Sequence, residues 1–462
     1  MTQYHSCFSY RFLQHVVCRP LAGLVLAATC SLLSTSNALA REATTPQQIT
    51  LSTGLATPVM EADKAQNAFV RVALTGFTID HRAQRTPLNV ALVFDQSSSM
   101  SGDKIIRAKE AAIMAVGKLS ADDVVSIITY DSTVDVLIPA TKASDKNKIY
   151  QAINRIRAGG NTALFAGTSK GAYEVRKFLS EQRVNRVVLL SDGMANVGPD
   201  SPSELGALGK ALAKDGMSVS TIGLGLGYNE DLMTQLANYS DGNHAFVENS
   251  ADLARVFDQE FGDAMSVVAQ DVEIEIICAE GVRPLRVVGR EAEIVGSRVL
   301  TRMNQLYSAQ ENYVVLEVAM PAKQEGEQLS VANVTVHYNN MATQQRTRLS
   351  DRISASFSAS QAKVKAAINE PIYESAVEQV ANEVSQEAVA LRDSGDVDAA
   401  SARLQANSSF LSSAADYISS PKLRQQSLEA KQEAEVVQSR DDWNKTRKVL
   451  KEKSYKRAKQ QR

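Results

Sequence analysis

The residues of this chain whose types and spacing could do chemistry begin with Asp95-Gln96-Ser97-Ser98-Ser99, a D-x-S-x-S run. An aspartate followed by two serine hydroxyls at alternate positions puts three oxygen-bearing side chains in one short loop. Hard divalent cations take oxygen ligands, and Mg2+ asks for a near-octahedral shell at about 2.0–2.1 Å. A loop this short cannot supply six ligands, so such a site needs other loops and water. Two later segments offer them. Gly159-Gly160-Asn161-Thr162 brings the Thr162 hydroxyl, and Ser191-Asp192-Gly193 brings the Asp192 carboxylate.

For these three segments to meet, the elements before them must end on one edge. Leu88–Phe94, Val124–Tyr130, Val184–Leu190 and Val219–Gly223 are near-continuous apolar runs rich in β-branched residues. Such runs suit a parallel sheet buried on both faces. Amphipathic stretches near 103–118, 145–157, 163–182, 203–215 and 250–265 lie between or after them. Strand alternating with helix predicts a doubly wound, mostly parallel α/β domain. Ligands in such a domain bind at the carboxyl ends of the strands, where Asp95 and Asp192 fall.

The three segments, in this order and spacing, resemble the von Willebrand factor type A domain with a metal-ion-dependent adhesion site. The text that carries the resemblance is Val93-Phe94-Asp95-Gln96-Ser97-Ser98-Ser99-Met100, Gly159-Gly160-Asn161-Thr162 and Leu190-Ser191-Asp192-Gly193. Thr221-Ile222-Gly223-Leu224-Gly225 fits a further strand of such a domain. The likeness spans about 87–265. It implies that Ser97, Ser99 and Thr162 bind Mg2+ or Mn2+ directly, and that Asp95 and Asp192 act mostly through water. A carboxylate from an acidic residue of a protein partner would complete the shell. With few anionic groups bound directly, the ion stays electrophilic toward that carboxylate. The domain order also resembles exported bacterial proteins of the same family.

Around this domain the pattern changes. Phe69-Val70-Arg71-Val72-Ala73-Leu74 alternates with a period of two, and strand-like runs return between Val267 and Phe357 without helices. Neither β segment is large enough to look complete, so both are expected to form one β-sandwich into which the α/β domain is inserted. Residues 362–417 read as two helices broken at Ser394-Gly395-Asp396, a helical hairpin. The last 18 residues hold nine Lys and Arg side chains against Glu452 alone, and read as a frayed basic tail able to meet an anionic surface.

The opening residues read as an address. Arg11 and Arg19 precede an apolar run from Leu21 to Leu33, and Ala38-Leu39-Ala40 supplies a cleavage site. The long basic region leaves a retained anchor as the alternative, and Thr29 before Cys30 fits a lipoprotein poorly. Cleavage would leave Cys278 as the one cysteine of an exported chain, with no internal disulfide. The expected segments are 1–40 signal peptide, 41–86 N-terminal strands of the sandwich, 87–265 the α/β domain, 266–358 β-sandwich, 359–420 helical hairpin and 421–462 charged, basic tail.

Composition excludes several classes. Hydrophobic residues are 44% and charged residues 22%, which are globular values, and 50 basic against 52 acidic side chains give no bulk attraction for nucleic acid. Gly167-Thr168-Ser169-Lys170-Gly171 matches G-x-S-x-G but lies inside a helical run, not on the strand-to-helix turn that a nucleophile needs. His81, His244 and His337 stand in no suggestive context and read as surface or loop residues. Gly223-Leu224-Gly225-Leu226-Gly227 lacks the spacing of a dinucleotide loop, so no nucleotide is expected. Asp122 and Asp123 read as turn residues. The expectation is an exported, periplasmic or cell-surface, non-enzymatic binding module for adhesion or envelope assembly. The alternatives are an assembly factor for an ATPase or chelatase-type complex, and a structural scaffold with an empty site.

Overall fold

The computed structural model describes residues 48–79, 85–439 and 443–461. The signal peptide expected at 1–40 and His81 lie outside them. Three strands open the described chain: β1 (Thr50–Leu55), β2 (Val59–Glu61) and β3 (Gln66–Thr75). The α/β segment follows as β4 (Leu88–Asp95), α1 (Asp103–Lys118), β5 (Val124–Tyr130), β6 (Val134–Lys142), α2 (Lys146–Asn154), α3 (Leu164–Arg176), β7 (Val184–Ser191), α4 (Pro202–Lys214), β8 (Ser218–Leu224), α5 (Glu230–Ser240), β9 (His244–Val247) and α6 (Leu253–Met265). Its sheet has the order β6-β5-β4-β7-β8-β9. Every neighbouring pair is parallel except β5 with β6.

Strand β4 is buried on both faces, and its side chains alternate between two cores. Leu88, Val90, Leu92 and Phe94 face α1, α2 and α6, whereas Ala91 and Val93 face α3, α4 and α5. Each such Leu, Val or Phe contributes about 1.5–3 kcal/mol by burial. The doubled core leaves the carboxyl ends of β4 and β7 fixed side by side. Asp123 does more than make a turn. It is buried, pairs with Arg85, and accepts the Leu88 N–H at 2.8 Å and the Ser120 N–H at 2.6 Å, which pins the start of β4.

The strands on either side of this domain are one structure. Seven further strands follow α6: β10 (Val267–Cys278), β11 (Arg283–Val288), β12 (Glu293–Val295), β13 (Arg298–Tyr307), β14 (Glu311–Met320), β15 (Gln328–Asn340) and β16 (Gln345–Ser358). They build two sheets, β1-β3-β14-β11 and β12-β13-β10-β15-β16-β2. Strand β3 lies antiparallel to β14, with Val72 opposite Val314, and β2 runs parallel to the end of β16. Val70, Val72 and Leu74 share a core with Ile274, Ile276, Leu316 and Val334. The α/β domain therefore leaves the sandwich after β3 and returns to it at β10. Cys278 is a buried free thiol in this sandwich.

The contact between domain and sandwich combines apolar packing of Val267, Tyr307 and Met341 with a buried polar cluster. Arg186 of β7, 1% exposed, pairs with Glu260 of α6 at 2.6 Å and donates to Tyr307 Oη of β13 at 3.0 Å and to Gln305. Burial opposes the guanidinium charge, but Tyr307 and Glu260 hold it above its ordinary range.

The C-terminal region corrects the sequence reading. After α7 (Gln361–Ala366), the helices α8 (Glu370–Asp393) and α9 (Val397–Ile418) do form a hairpin, turned at Gly395. The segment 421–462, expected as a solvated basic tail, instead carries α10 (Pro421–Val436) and α11 (Trp443–Lys459). Ser420 caps α10 and Pro421 starts it, a start signal present in the sequence. Helix α11 packs against α5, β9 and α8. Its charges meet the protein's own acidic groups. Arg447 pairs with Glu230, Asp231 and Asp393, Lys448 with Glu230, Lys451 with Asp231, Lys453 and Arg457 with Glu429, and Lys459 with Asp241. Lys448 is 2% exposed. The anionic surface that the basic run reaches is thus intramolecular.

Candidate metal centre

The five residues singled out in the sequence come together at the carboxyl edge of the α/β sheet. Asp95 closes β4 and is fully buried. Its Oδ1 accepts the Ser97 N–H at 2.8 Å and its Oδ2 accepts the Ser191 hydroxyl at 2.7 Å. The chain then tightens into a 3-10 turn at Ser98–Met100, anchored by the buried Met100. That turn sets Ser97 Oγ 3.0 Å from Ser99 Oγ, and Ser99 Oγ donates to Asp192 Oδ1 at 2.6 Å. Ser97 is buried, whereas Ser98 and Ser99 are exposed.

Two other loops are stitched to the first. Gly159 N–H donates to the Gln96 carbonyl at 2.7 Å, and Ser98 N–H to the Gly160 carbonyl at 3.1 Å. Gly160 takes φ +79°, the left-handed backbone that lets this loop turn back. Thr162 is held from the third loop: its N–H donates to Asn196 Oδ1 at 2.8 Å, and Asn196 N–H returns to its carbonyl at 3.1 Å. Gly193 explains why no side chain follows Asp192. A Cβ there would stand 3.1 Å from Thr162 Oγ1 and 3.3 Å from Ser99 Oγ. One small volume is therefore bordered by both hydroxyls.

The donor set fits a hard divalent ion. Cis ligands of an octahedron at about 2.0–2.1 Å lie roughly 2.9 Å apart, close to the 3.0 Å between the two serine hydroxyls. Among the described residues, no three His, Cys, Asp or Glu side chains gather to hold a metal, so a site here is one of hydroxyls with two carboxylates. Burial raises the Asp95 carboxyl above its ordinary value, hydrogen bonds from Ser97 and Ser191 oppose this, and Asp192 adds to it. A cation beside Asp95 would relieve that cost.

Three residues of the site escaped the sequence reading. Ser191 orients Asp95, Asn196 holds the backbone of Thr162, and Lys104 pairs with Asp192. Ser191 sat within a quoted motif; nothing marked Asn196 or Lys104. The G-x-S-x-G run lies in α3, where it serves packing. A Cβ at Gly167 would meet the Tyr130 ring at 2.6 Å, and one at Gly171 would meet Val93 Cγ2 at 2.5 Å. His337 lies on β15. His244 is not a surface or loop residue: it is buried in β9, its Nδ1 shares a hydrogen bond with Thr221 Oγ1 at 2.9 Å, and its Nε2 has no hydrogen-bond partner among the described residues.

Residues 89–259 match the family model of the von Willebrand factor type A domain. With its mostly parallel sheet and flanking helices, this segment is such a domain. The chain is 28% identical over 292 residues to an uncharacterized protein of Synechocystis, covering 61% of this chain and 68% of that one. It is 28% identical over 200 residues to the protein YfbK of Escherichia coli, covering 43% of this chain and 35% of that one. The chain thus spans about two thirds of the first relative and a third of the second. Among solved structures, a von Willebrand factor type A protein from Catenulispora acidiphila superposes with a TM-score of 0.66 at 16% identity, over 82% of this chain and 89% of that one. The ArnB paralog VWA2 from Sulfolobus acidocaldarius gives 0.59 at 16% identity, over 89% and 98%. At such identities the likeness concerns fold alone, and it extends well beyond the α/β domain.

Proposed function

We propose that this chain is an exported, non-enzymatic protein-binding module. Ser97, Ser99 and Thr162 would ligate Mg2+ or Mn2+, with Asp95 and Asp192 orienting and neutralising. The bound ion supplies an electrophilic position for a carboxylate, here an Asp or Glu of a protein partner. The partner would be met in the periplasm or at the cell surface, in adhesion or the assembly of an envelope complex. One observation carries this reading: three loops bring two buried carboxylates and three hydroxyls together at the carboxyl edge of the sheet, and Ser99 is exposed there. Such a cluster suits ligation at a surface better than catalysis. Among the hydrogen bonds of Asp95, Ser97, Ser99, Thr162 and Asp192 in the described residues, none comes from a His or Glu that could serve as general base.

The test is calorimetric titration of the full chain with Mg2+ and Mn2+. Saturable binding should be lost in Asp95→Ala and in the Ser97→Ala/Ser99→Ala double variant. A folded chain that binds neither ion, even with added acetate or glutamate, would overturn the proposal. Fractionation of cells expressing the full chain tests export, and recovery of the full-length, uncleaved chain from the cytoplasm would refute it.

A further inference from the structure

Lys104 is the second residue of α1, and its ammonium reaches into the rim of the site. It pairs with Asp192 Oδ2 and donates to the Ser99 carbonyl at 3.3 Å. Asp192 is therefore shared, one oxygen accepting from the Ser99 hydroxyl and the other from a cation. Among the described residues no other ion pair reaches Asp192, which is 1% exposed. A cation in the first turn of a helix is opposed by the helix dipole. The Lys104 side chain is about one third exposed, so it also keeps a path to solvent. Its placement makes sense as a counter-charge to Asp192, not as support for α1.

We propose that Lys104 is a positioning residue that competes with the divalent ion for Asp192 and so sets the affinity of the site. This rests on the reading of the site as a divalent-ion centre. Before an ion arrives, the ammonium neutralises the buried carboxylate and holds it against Ser99. When an ion is held by the hydroxyls, the ammonium is a like charge a few ångströms away and must give up part of its contact. Because the ammonium keeps its path to solvent, near-aqueous screening applies, and repulsion between a single and a double charge amounts to a factor of roughly 10 to 100 in affinity. Lys104 thus keeps binding weak enough to depend on the partner's carboxylate, whose charge offsets the repulsion.

The experiment is Mn2+ titration of the full chain by calorimetry in wild type, Lys104→Met and Lys104→Arg, with thermal unfolding in chelator and in saturating Mn2+. Lys104→Met should bind Mn2+ about 10 to 100 times more tightly, and Lys104→Arg should stay within about threefold of wild type. In chelator, Lys104→Met should unfold at a lower temperature than wild type, and saturating Mn2+ should erase or reverse the difference. Equal or weaker Mn2+ binding by Lys104→Met, or a deficit that persists in Mn2+, would overturn the role of Lys104 alone. Failure of wild type and both variants to bind Mn2+ would overturn the metal centre itself.

Discussion

Replacing Lys448 by Met keeps the aliphatic stem of the side chain and removes its charge. The ammonium is buried where α11 meets the α/β domain, donates to the Tyr228 carbonyl at 2.8 Å, pairs with Glu230, and lies 4.4 Å from the Tyr228 ring centroid. Breaking a buried pair from one side costs about 3–5 kcal/mol when the remaining charge is left alone. Here Glu230 keeps Arg447 as a second partner, which brings the expected cost down to about 3 kcal/mol. That corresponds to roughly a hundredfold larger opening constant for α11. Native-state hydrogen exchange of the α11 amides should accelerate by that factor, while amides of β4 and β7 change little. Lys445→Met is the control. Its pair with Glu248 is half-exposed, so the change should stay within about 0.5 kcal/mol. In the Lys448→Met/Glu230→Gln double variant the two effects should be less than additive. Exchange in α11 that rises less than about threefold in Lys448→Met would refute the claim that buried charge docks this helix.

Three other outcomes follow from the geometry. Arg186→Met leaves Glu260 buried with Ser220 and Asn243 as hydrogen-bond donors, and should lower stability in urea by about 3–5 kcal/mol; a loss under about 1 kcal/mol would show that the pair does not matter at the junction. Gly193→Ala puts a methyl against Thr162 Oγ1 and Ser99 Oγ, so Mn2+ affinity should fall at least about tenfold with the fold retained; unchanged affinity in calorimetry would displace the metal from this opening. Burial, with Lys456 and Lys448 adding, pushes the His244 imidazole down to about 3. Its folded value lies below its unfolded one, so its contribution is full above about pH 6.5 and is lost as pH falls toward 3. Between pH 6.5 and 5, wild type should lose about 1.7 kcal/mol more than His244→Gln, and parallel pH profiles of the two would contradict this.

The parts legible in the sequence were those whose physics is local. Strands β4, β5, β7 and β8 are buried on both faces and announce themselves as apolar runs. The metal loop could be placed because Asp95 sits at such a strand's end. Strand β6 was missed because it is an exposed antiparallel edge that even contains Pro139. Strand β9 spans only His244–Val247, too short for a period. The alternation at 69–74 marked a strand, but its pairing with β14 lies far along the chain and leaves no local mark. Helix α11 was misread for a similar reason. Its basic run is a tail only if Glu230, Asp231, Asp241 and Asp393 are elsewhere, and only the fold brings those four together. Lys104 belongs to the same class: its meaning depends on a carboxylate from another loop.

The insertion of one domain within another sets an order of events during synthesis. Strand β3 must wait for β14, about 235 residues later, which is on the order of 10–50 s of translation. Until then β1 and β3 have only each other, and an isolated pair of strands is marginal in water. The inserted domain has all its strands to hand earlier. Its entry and exit touch, Thr86 Oγ1 lying 3.3 Å from the Val267 carbonyl. Once it has folded, the loop that β3 must close shrinks to roughly 55 residues, a saving of about 1 kcal/mol in closure entropy. A lesion that slows the α/β domain would therefore appear first as a nascent sandwich with an open edge, prone to pair with a neighbouring chain.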